Sequence, residues 1–242
     1  MFPVPRHPKT ALVVFARHPR GRVKTRLVPA LAPAAARRLH VACLESTLRL
    51  ADSLPRGIAR FLYLTPTERP PRRHDLNLPR RFRVRIQRGR DLGARLRAAL
   101  QALIAAGYRR VVFIGSDSPT LPAPRLRRAF AALRRADAVL GPARDGGYYL
   151  IGLRAKKNPS TAVFRGIDWG TPRAFRQQRA RLRRLKLPTV ILPPWYDVDV
   201  PADLKRLRRD LRRRRSRRLA PLDAWFSFRT TSDRRGSGAS AG

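Results

Sequence analysis

Val111-Val112-Phe113-Ile114, followed at once by Gly115-Ser116-Asp117-Ser118-Pro119-Thr120-Leu121, constrains the fold of this chain more than any other stretch. A short apolar run rich in β-branched residues reads as a buried strand of a parallel sheet. Pro119 and Pro122 prevent the strand from continuing, and a helix opens near Pro124. A carboxylate at the C-terminal end of a central parallel strand stands where open α/β sheets bind their ligands. Asp117 is therefore placed to hold a divalent cation against phosphate oxygens. Asp also commonly caps a following turn, and this stretch alone leaves both roles open.

The rest of the chain repeats the alternation of strand and helix. Ala11–Phe15, Phe61–Leu64, Phe82–Ile86, Ala138–Leu140, Tyr148–Leu153 and Thr189–Leu192 read as further strands. Helical spacing or breaker residues predict helices over Ala34–Leu54, Leu92–Ala106, Pro124–Ala136 and Pro172–Leu185. The pattern implies one doubly wound α/β domain, for which 242 residues suffice with tails to spare.

Charge is the unusual quantity: 55 Lys+Arg against 15 Asp+Glu, a formal net of +40. Such an excess attracts polyanions, nucleic acid and anionic membrane surfaces among them. The cations are nearly all Arg and spread over every predicted helix, which reads as a biased solvated surface and not as one selected patch. In so basic a chain, each remaining Asp is a better candidate for a specific role. Cys43 is the one cysteine, which excludes a disulfide framework and a cysteine-based zinc site, and its helical setting predicts a buried apolar thiol. His7, His18, His40 and His74 show no metal-ligand spacing. There is no signal-peptide core and no apolar run of the ~20 residues that span a bilayer, so the expectation is a cytoplasmic protein with no membrane span.

Several loops carry candidate chemistry. After the first strand, Ala16-Arg17-His18-Pro19-Arg20-Gly21-Arg22-Val23-Lys24-Thr25-Arg26-Leu27 places one glycine and a cluster of cations before a helix. Strand, basic loop and helix is an arrangement that receives phosphates; the spacing is not that of a Walker A loop. Gln87 stands at a strand end, where paired donor and acceptor groups can read a nucleobase edge, and Gly93 lets a helix start approach a ligand closely. Both are also ordinary loop residues. Asp145-Gly146-Gly147 reads as a tight turn, either a plain hairpin or a turn whose glycines clear room for an acceptor or sugar while Asp145 bonds its hydroxyls. Thr171 is the expected cap of the next helix. In Trp195–Leu204, Asp197 and Asp199 share a side if the segment is extended, and Asp203 falls in the following helix as a structural residue.

Ala16-Arg-x-Pro-x-Gly-x-Val-Lys-Thr-Arg-Leu27, Gly115-Ser-Asp-Ser-Pro-Thr-Leu121, Gly141-Pro-Ala-x-Asp-Gly-Gly-Tyr-Tyr-Leu-Ile-Gly-Leu153 and Tyr196-Asp-Val-Asp-x-Pro-x-Asp-Leu204 together resemble one family. It is the DUF2064 branch of the GT-A nucleotide-diphospho-sugar transferases, some members of which are called arsenosugar biosynthesis glycosyltransferases. The resemblance runs from Ala11 to Leu207 with the four motifs in order. More distantly, the chain is similar to phospholactate and molybdenum-cofactor guanylyltransferases. The resemblance implies a Rossmann-like three-layer αβα sandwich with a mostly parallel central sheet. With the domain so bounded at 11–207, the Pro-rich basic start reads as a flexible leader (1–10) and the Arg-rich, low-complexity end as a disordered tail (208–242).

The resemblance also implies roles. Lys24 and Arg26, with Arg17, neutralise the donor diphosphate, and Gly21 and Ser116 lie on the donor side. Gln87 and Gly93 lie near base and ribose. Asp117 and Asp199 bind Mg²⁺ or Mn²⁺. Asp145, Gly146, Gly147 and Tyr148 border the acceptor or sugar pocket, with Asp145 as base or orienting group. Arg144 stands where the family commonly has an acidic or neutral residue.

The expected chemistry is metal-assisted substitution without a covalent intermediate, from a nucleotide-sugar to a small-molecule acceptor. One alternative is nucleotidyl transfer from an NTP to a phosphorylated small molecule. Another is an Arg-rich nucleic-acid-associated protein with a vestigial site, binding polyanions through Arg206–Arg218.

Overall fold

The strand that carries Asp117 at its end lies in the middle of a seven-stranded sheet. The computed structural model describes residues 10–28, 30–67, 76–155, 161–214 and 216–236. The strands are β1 (Thr10–Ala16), β2 (Ile58–Leu64), β3 (Phe82–Ile86), β4 (Arg110–Gly115), β5 (Ala138–Pro142), β6 (Tyr148–Arg154) and β7 (Thr189–Ile191), in the spatial order β3-β2-β1-β4-β6-β5-β7. Only β6 runs against the others, pairing antiparallel with both β4 and β5. Expectation and structure agree on a mostly parallel α/β sheet, and the Asp145-Gly146-Gly147 turn joins the β5–β6 hairpin.

Pleating sorts the core into two layers. Leu12, Val14, Val112 and Ile114 face one side, under α1 (Pro33–Asp52) and α3 (Ala123–Ala132). Ala11, Val13, Val111 and Phe113 face the other, under α2 (Leu92–Ala105) and α4 (Ala174–Arg184). Alternate residues therefore serve opposite layers, which is why these strands read as continuous apolar runs. The helix boundaries follow local chemistry. Asp91 caps α2 by accepting from the Ala94 amide at 2.7 Å, and Gly107 follows its end at φ +85°. The segment Thr189–Leu192, read as a core strand, turns out to be an edge: Val190 and Ile191 are exposed, while Leu192 is buried.

The expectation of an unstructured tail from 208 is overturned for the residues described there. Arg208–Arg213 complete α5 (Pro201–Arg213), and α6 (Ala220–Gly236) packs on α1. Leu207, Leu211, Leu219, Leu222 and Trp225 form a third core with Leu39 and Cys43, and the Trp225 indole donates to the Ala35 carbonyl at 3.1 Å. These apolar residues recur at helical intervals among the arginines, so a charged stretch still buries one stripe. Residues 1–9 and 237–242 lie outside the described residues. Among those described, no helix is long and apolar enough to cross a membrane.

Candidate functional site

The chain leaves β1 toward β2 and β3, then returns to place β4 on the other side of β1. Where strand order reverses in this way, the loops beyond the carboxyl ends diverge and open a crevice. Here that crevice is a cleft of about 920 Å³ lined by the β1 loop, the β4 end, the start of α2, the β5–β6 turn and the approach to α5.

Lys24 organises the floor. The loop is anchored on both sides by buried Val23 and Leu27, and Lys24 adopts the left-handed conformation at φ +50°. A non-glycine residue held there costs of order 1 kcal/mol and persists only where its surroundings over-determine it. Its ammonium, nearly sealed from solvent, donates to Asp117 Oδ1, to the Val198 carbonyl at 2.6 Å and to Asp199 Oδ1 at 3.1 Å. Two carboxylates distant in sequence thus meet on one cation.

Backbone pairing brings the second carboxylate in. Trp195 donates its amide to Pro142 O at 3.0 Å and accepts from the Arg144 amide at 3.0 Å, and the Val198 amide donates to Asp117 O at 2.8 Å. The segment Trp195–Asp199 therefore runs between the ends of β5 and β4 and presents Asp197 and Asp199 to the cleft. Asp203 accepts from the amides of Asp199 and Val200 at 2.9 Å each, capping α5 in the structural role expected of it. The Arg218 guanidinium donates to the carbonyls of Pro119 (3.0 Å) and Thr120 (3.3 Å), so the C-terminal region braces the loop after Asp117.

The charges shape one another. Burial works against the Lys24 ammonium, but Asp117, with Asp199 behind it, outweighs burial and raises its pKa. Burial also opposes ionisation of Asp117, and Lys24 more than compensates, holding that carboxyl below the usual range. For Asp199 burial and the neighbouring Asp117 win over Lys24, and its pKa is raised. Asp197 accepts from the Ser118 hydroxyl, yet burial, together with Asp117, Asp199 and Asp145, pushes it up to about 7. A carboxyl in this state is one that an added cation would draw into its ionised form. Burial pushes the Cys43 thiol up to about 12, as expected for an apolar thiol and not a nucleophile.

Of the residues singled out by sequence, Arg17, Gly21, Lys24, Arg26, Gln87, Ser116, Asp117, Asp145, Gly147, Tyr148 and Asp199 all line the cleft. Three have different duties from those expected. Both amide hydrogens of Gln87 are committed, to Ala16 O at 2.9 Å and Tyr63 O at 3.0 Å, so it ties β1 to β2 and has no donor left for a base edge. Gly93 is not among the residues that line the cleft: a Cβ there would lie 2.8 Å from Phe164 O and from the Trp169 indole nitrogen. It makes room for Trp169, which does line the cleft. Gly146, at φ +89°, presses on Pro172, whose oxygen would sit 2.2 Å from an added Cβ. Gly146→Ala is expected to cost about 2–3 kcal/mol through backbone strain and overpacking, read as a lower urea midpoint with an unchanged slope. Asp145 bonds the Gly147 amide at 2.9 Å, and the Tyr148 hydroxyl donates to Gln178 at 3.1 Å.

Trp169, Arg22, Arg95 and Thr65 also line the cleft and were not singled out by sequence. Asp197 was placed on the side of Asp199 without a role. Only Asp197 had a readable signal, in its i, i+2 relation to Asp199; the others reach the cleft through packing that no local pattern encodes.

Residues 51–171 match the family model DUF2064, described as "Uncharacterized protein conserved in bacteria". Among solved structures, a candidate nucleotide-diphospho-sugar transferase from Desulfovibrio desulfuricans G20 is similar at 33% identity, over 90% of this chain and 97% of that one, with a TM-score of 0.81. Two more distant structures share the fold. Rv0371c of Mycobacterium tuberculosis H37Rv, in complex with manganese, matches at 18% identity over 82% of this chain and 97% of that one (TM-score 0.53). A cytidylyltransferase from Leptospira borgpetersenii serovar Hardjo-bovis matches at 11% over 94% and 96% (TM-score 0.56). A search of curated proteins found no significant match.

Proposed function

The chain belongs to the DUF2064 family, and from that membership we propose that it is a transferase that binds a nucleotide-diphosphate-sugar donor in the central cleft and passes the sugar to a small-molecule acceptor. One observation carries this reading: Asp117 and Asp199 converge on Lys24 at the floor of a cleft walled on one side by Arg17, Arg22 and Arg26. Cations and carboxylates in one crevice suit a diphosphate that is held partly by the protein and partly through a metal ion.

The donor set fits Mg²⁺ or Mn²⁺. Both ions prefer hard oxygen ligands and are commonly held by one or two carboxylates, with substrate phosphates completing the shell. Asp117 and Asp199 are such a pair. Among the described residues no group of three or more His, Cys, Asp or Glu forms a metal cage, which suits an ion bound together with its substrate. When bound, the ion would neutralise charge developing on the leaving diphosphate. Arg17, Arg22 and Arg26 orient the diphosphate and stabilise the same charge without moving a proton. Asp145, held by the Gly147 amide, orients or deprotonates the acceptor hydroxyl at the opposite wall. The loop has a single glycine, Gly21, in place of the Gly-rich cradle of many nucleotidyltransferases, which favours glycosyl over nucleotidyl transfer.

A thermal-shift panel of nucleotide-sugars and nucleoside triphosphates, with and without Mn²⁺, tests the reading. A metal-dependent shift largest for a nucleotide-sugar supports it. A larger shift with a triphosphate favours nucleotidyl transfer, and no metal-dependent shift counts against both. Asp117→Asn is expected to lower metal-dependent donor affinity about 100-fold, about 2.7 kcal/mol, while leaving the far-ultraviolet spectrum unchanged. Calorimetric titration reads the first effect, and unchanged affinity would remove Asp117 from the site.

A further inference from the structure

Outside the cleft, one charged feature is organised beyond what the overall composition requires. A groove of about 570 Å³ is lined by Arg144, Ala202, Lys205, Arg206, Arg209, Asp210 and Arg213. Lys205, Arg209 and Arg213 are four residues apart on α5, so they form a row with ~6 Å between successive members. None of the five cations has an ion-pair partner among the described residues. The lone acid, Asp210, is engaged by the Tyr196 hydroxyl at 2.9 Å, and Arg206 is steadied over the Tyr196 ring at 4.1 Å.

Two chain connections tie this groove to the cleft. Arg144 lines the groove while its neighbour Asp145 lines the cleft, and Asp199 lines the cleft while Ala202 lines the groove. The groove therefore adjoins the wall assigned to the acceptor, opposite the cationic β1 loop. The neighbouring rings of Trp195 and Tyr196 already carry the guanidinium groups of Arg125, Arg214 and Arg206, which occupy ring faces that stacked bases would need.

We propose that this groove is the anion subsite for the acceptor, and that the acceptor is a phosphorylated small molecule whose phosphate groups lodge among Arg144, Lys205, Arg206, Arg209 and Arg213. The assignment rests on the transferase reading. Arginine forks hold phosphate oxygens two at a time, so a row of cations that includes Arg206, steadied over the Tyr196 ring, suits a phosphate ester. That would aim the hydroxyl of the acceptor past Asp145 toward the donor.

The test uses inorganic tripolyphosphate as the groove probe, and GDP or UDP with Mn²⁺ as the cleft probe. Each is titrated into the full chain and into the double variant Arg209→Gln/Arg213→Gln at 0.15 M salt. Both substituted residues are exposed, so the fold is retained. The expected result is about tenfold or greater loss of tripolyphosphate affinity in the variant, with nucleotide affinity unchanged. Unchanged tripolyphosphate affinity overturns the proposal. A parallel loss of both ligands also overturns it, because the cations then act only as a diffuse field. A 20-nucleotide single strand that binds far more tightly than tripolyphosphate, and is lost in the same variant, replaces the acceptor with a nucleic acid. Tripolyphosphate binding that depends on Arg209 and Arg213, with no nucleotide binding to the parent chain, overturns the transferase reading and leaves the groove as an anion site without an acceptor.

Discussion

Ending the chain after Leu204 is expected to unfold it. The truncation deletes Leu207, Leu211, Leu219, Leu222 and Trp225, all nearly or fully buried against α1. Each such side chain contributes about 1.5–3 kcal/mol by burial, and the sum rivals the whole stability of a domain this size. The loss also bares Leu39 and Cys43, and it removes the Arg218 bonds to the Pro119 and Thr120 carbonyls beside Asp117. The truncated chain should lack a cooperative thermal transition and bind hydrophobic dye. A soluble truncated protein with a normal melting curve would show that α6 is dispensable, and the third core with it. The arginines of this region are therefore the outer face of a structural layer, and they cannot be removed as a separable polyanion-binding tail.

The same region shows where sequence reasoning stops. Every core strand was legible, because β-branched runs bounded by Gly and Pro have few other ways to be buried. The α5 and α6 stripes were not, because so many arginines lower the mean hydropathy of each window until leucine spacing is hard to see. Asp117 was legible as a strand-end carboxylate, and Asp199 through a motif match. Their meeting was not legible, since the contacts of Lys24 join residues 93 and 175 positions away. Gln87 and Gly93 show a different limit. Residue type predicted a polar reader and a close approach; the structure directs the amide to the Ala16 and Tyr63 carbonyls and the approach to Trp169. Chemistry of that kind is fixed by which groups the fold packs beside the residue, and local spacing does not record it.

Lys24→Met is expected to lower the stability of the ligand-free protein by about 1–2 kcal/mol, a value between the cost of breaking a buried pair and that of an exposed one. The discount follows from exposure: the Lys24 side chain is 3% exposed, but Asp117 and Asp199 are 43% and 37% exposed, so water screens part of the loss. The pH dependence has a definite sign. Lys24 depresses the Asp117 pKa, so the contribution of the pair is complete above the ordinary carboxylate pKa and fades as the solution is acidified through the folded value. Parent and variant should thus differ most near neutral pH and converge only once the solution is acidified below the ordinary carboxylate range. Without the ammonium, Asp117 and Asp199 repel each other, and burial already raises Asp199 and Asp197; an added divalent ion relieves that repulsion. Mn²⁺ should therefore raise the melting temperature of Lys24→Met more than that of the parent. A variant indifferent to Mn²⁺ would mean that the two carboxylates serve only to hold Lys24, and that the cleft recognises its donor through cations alone.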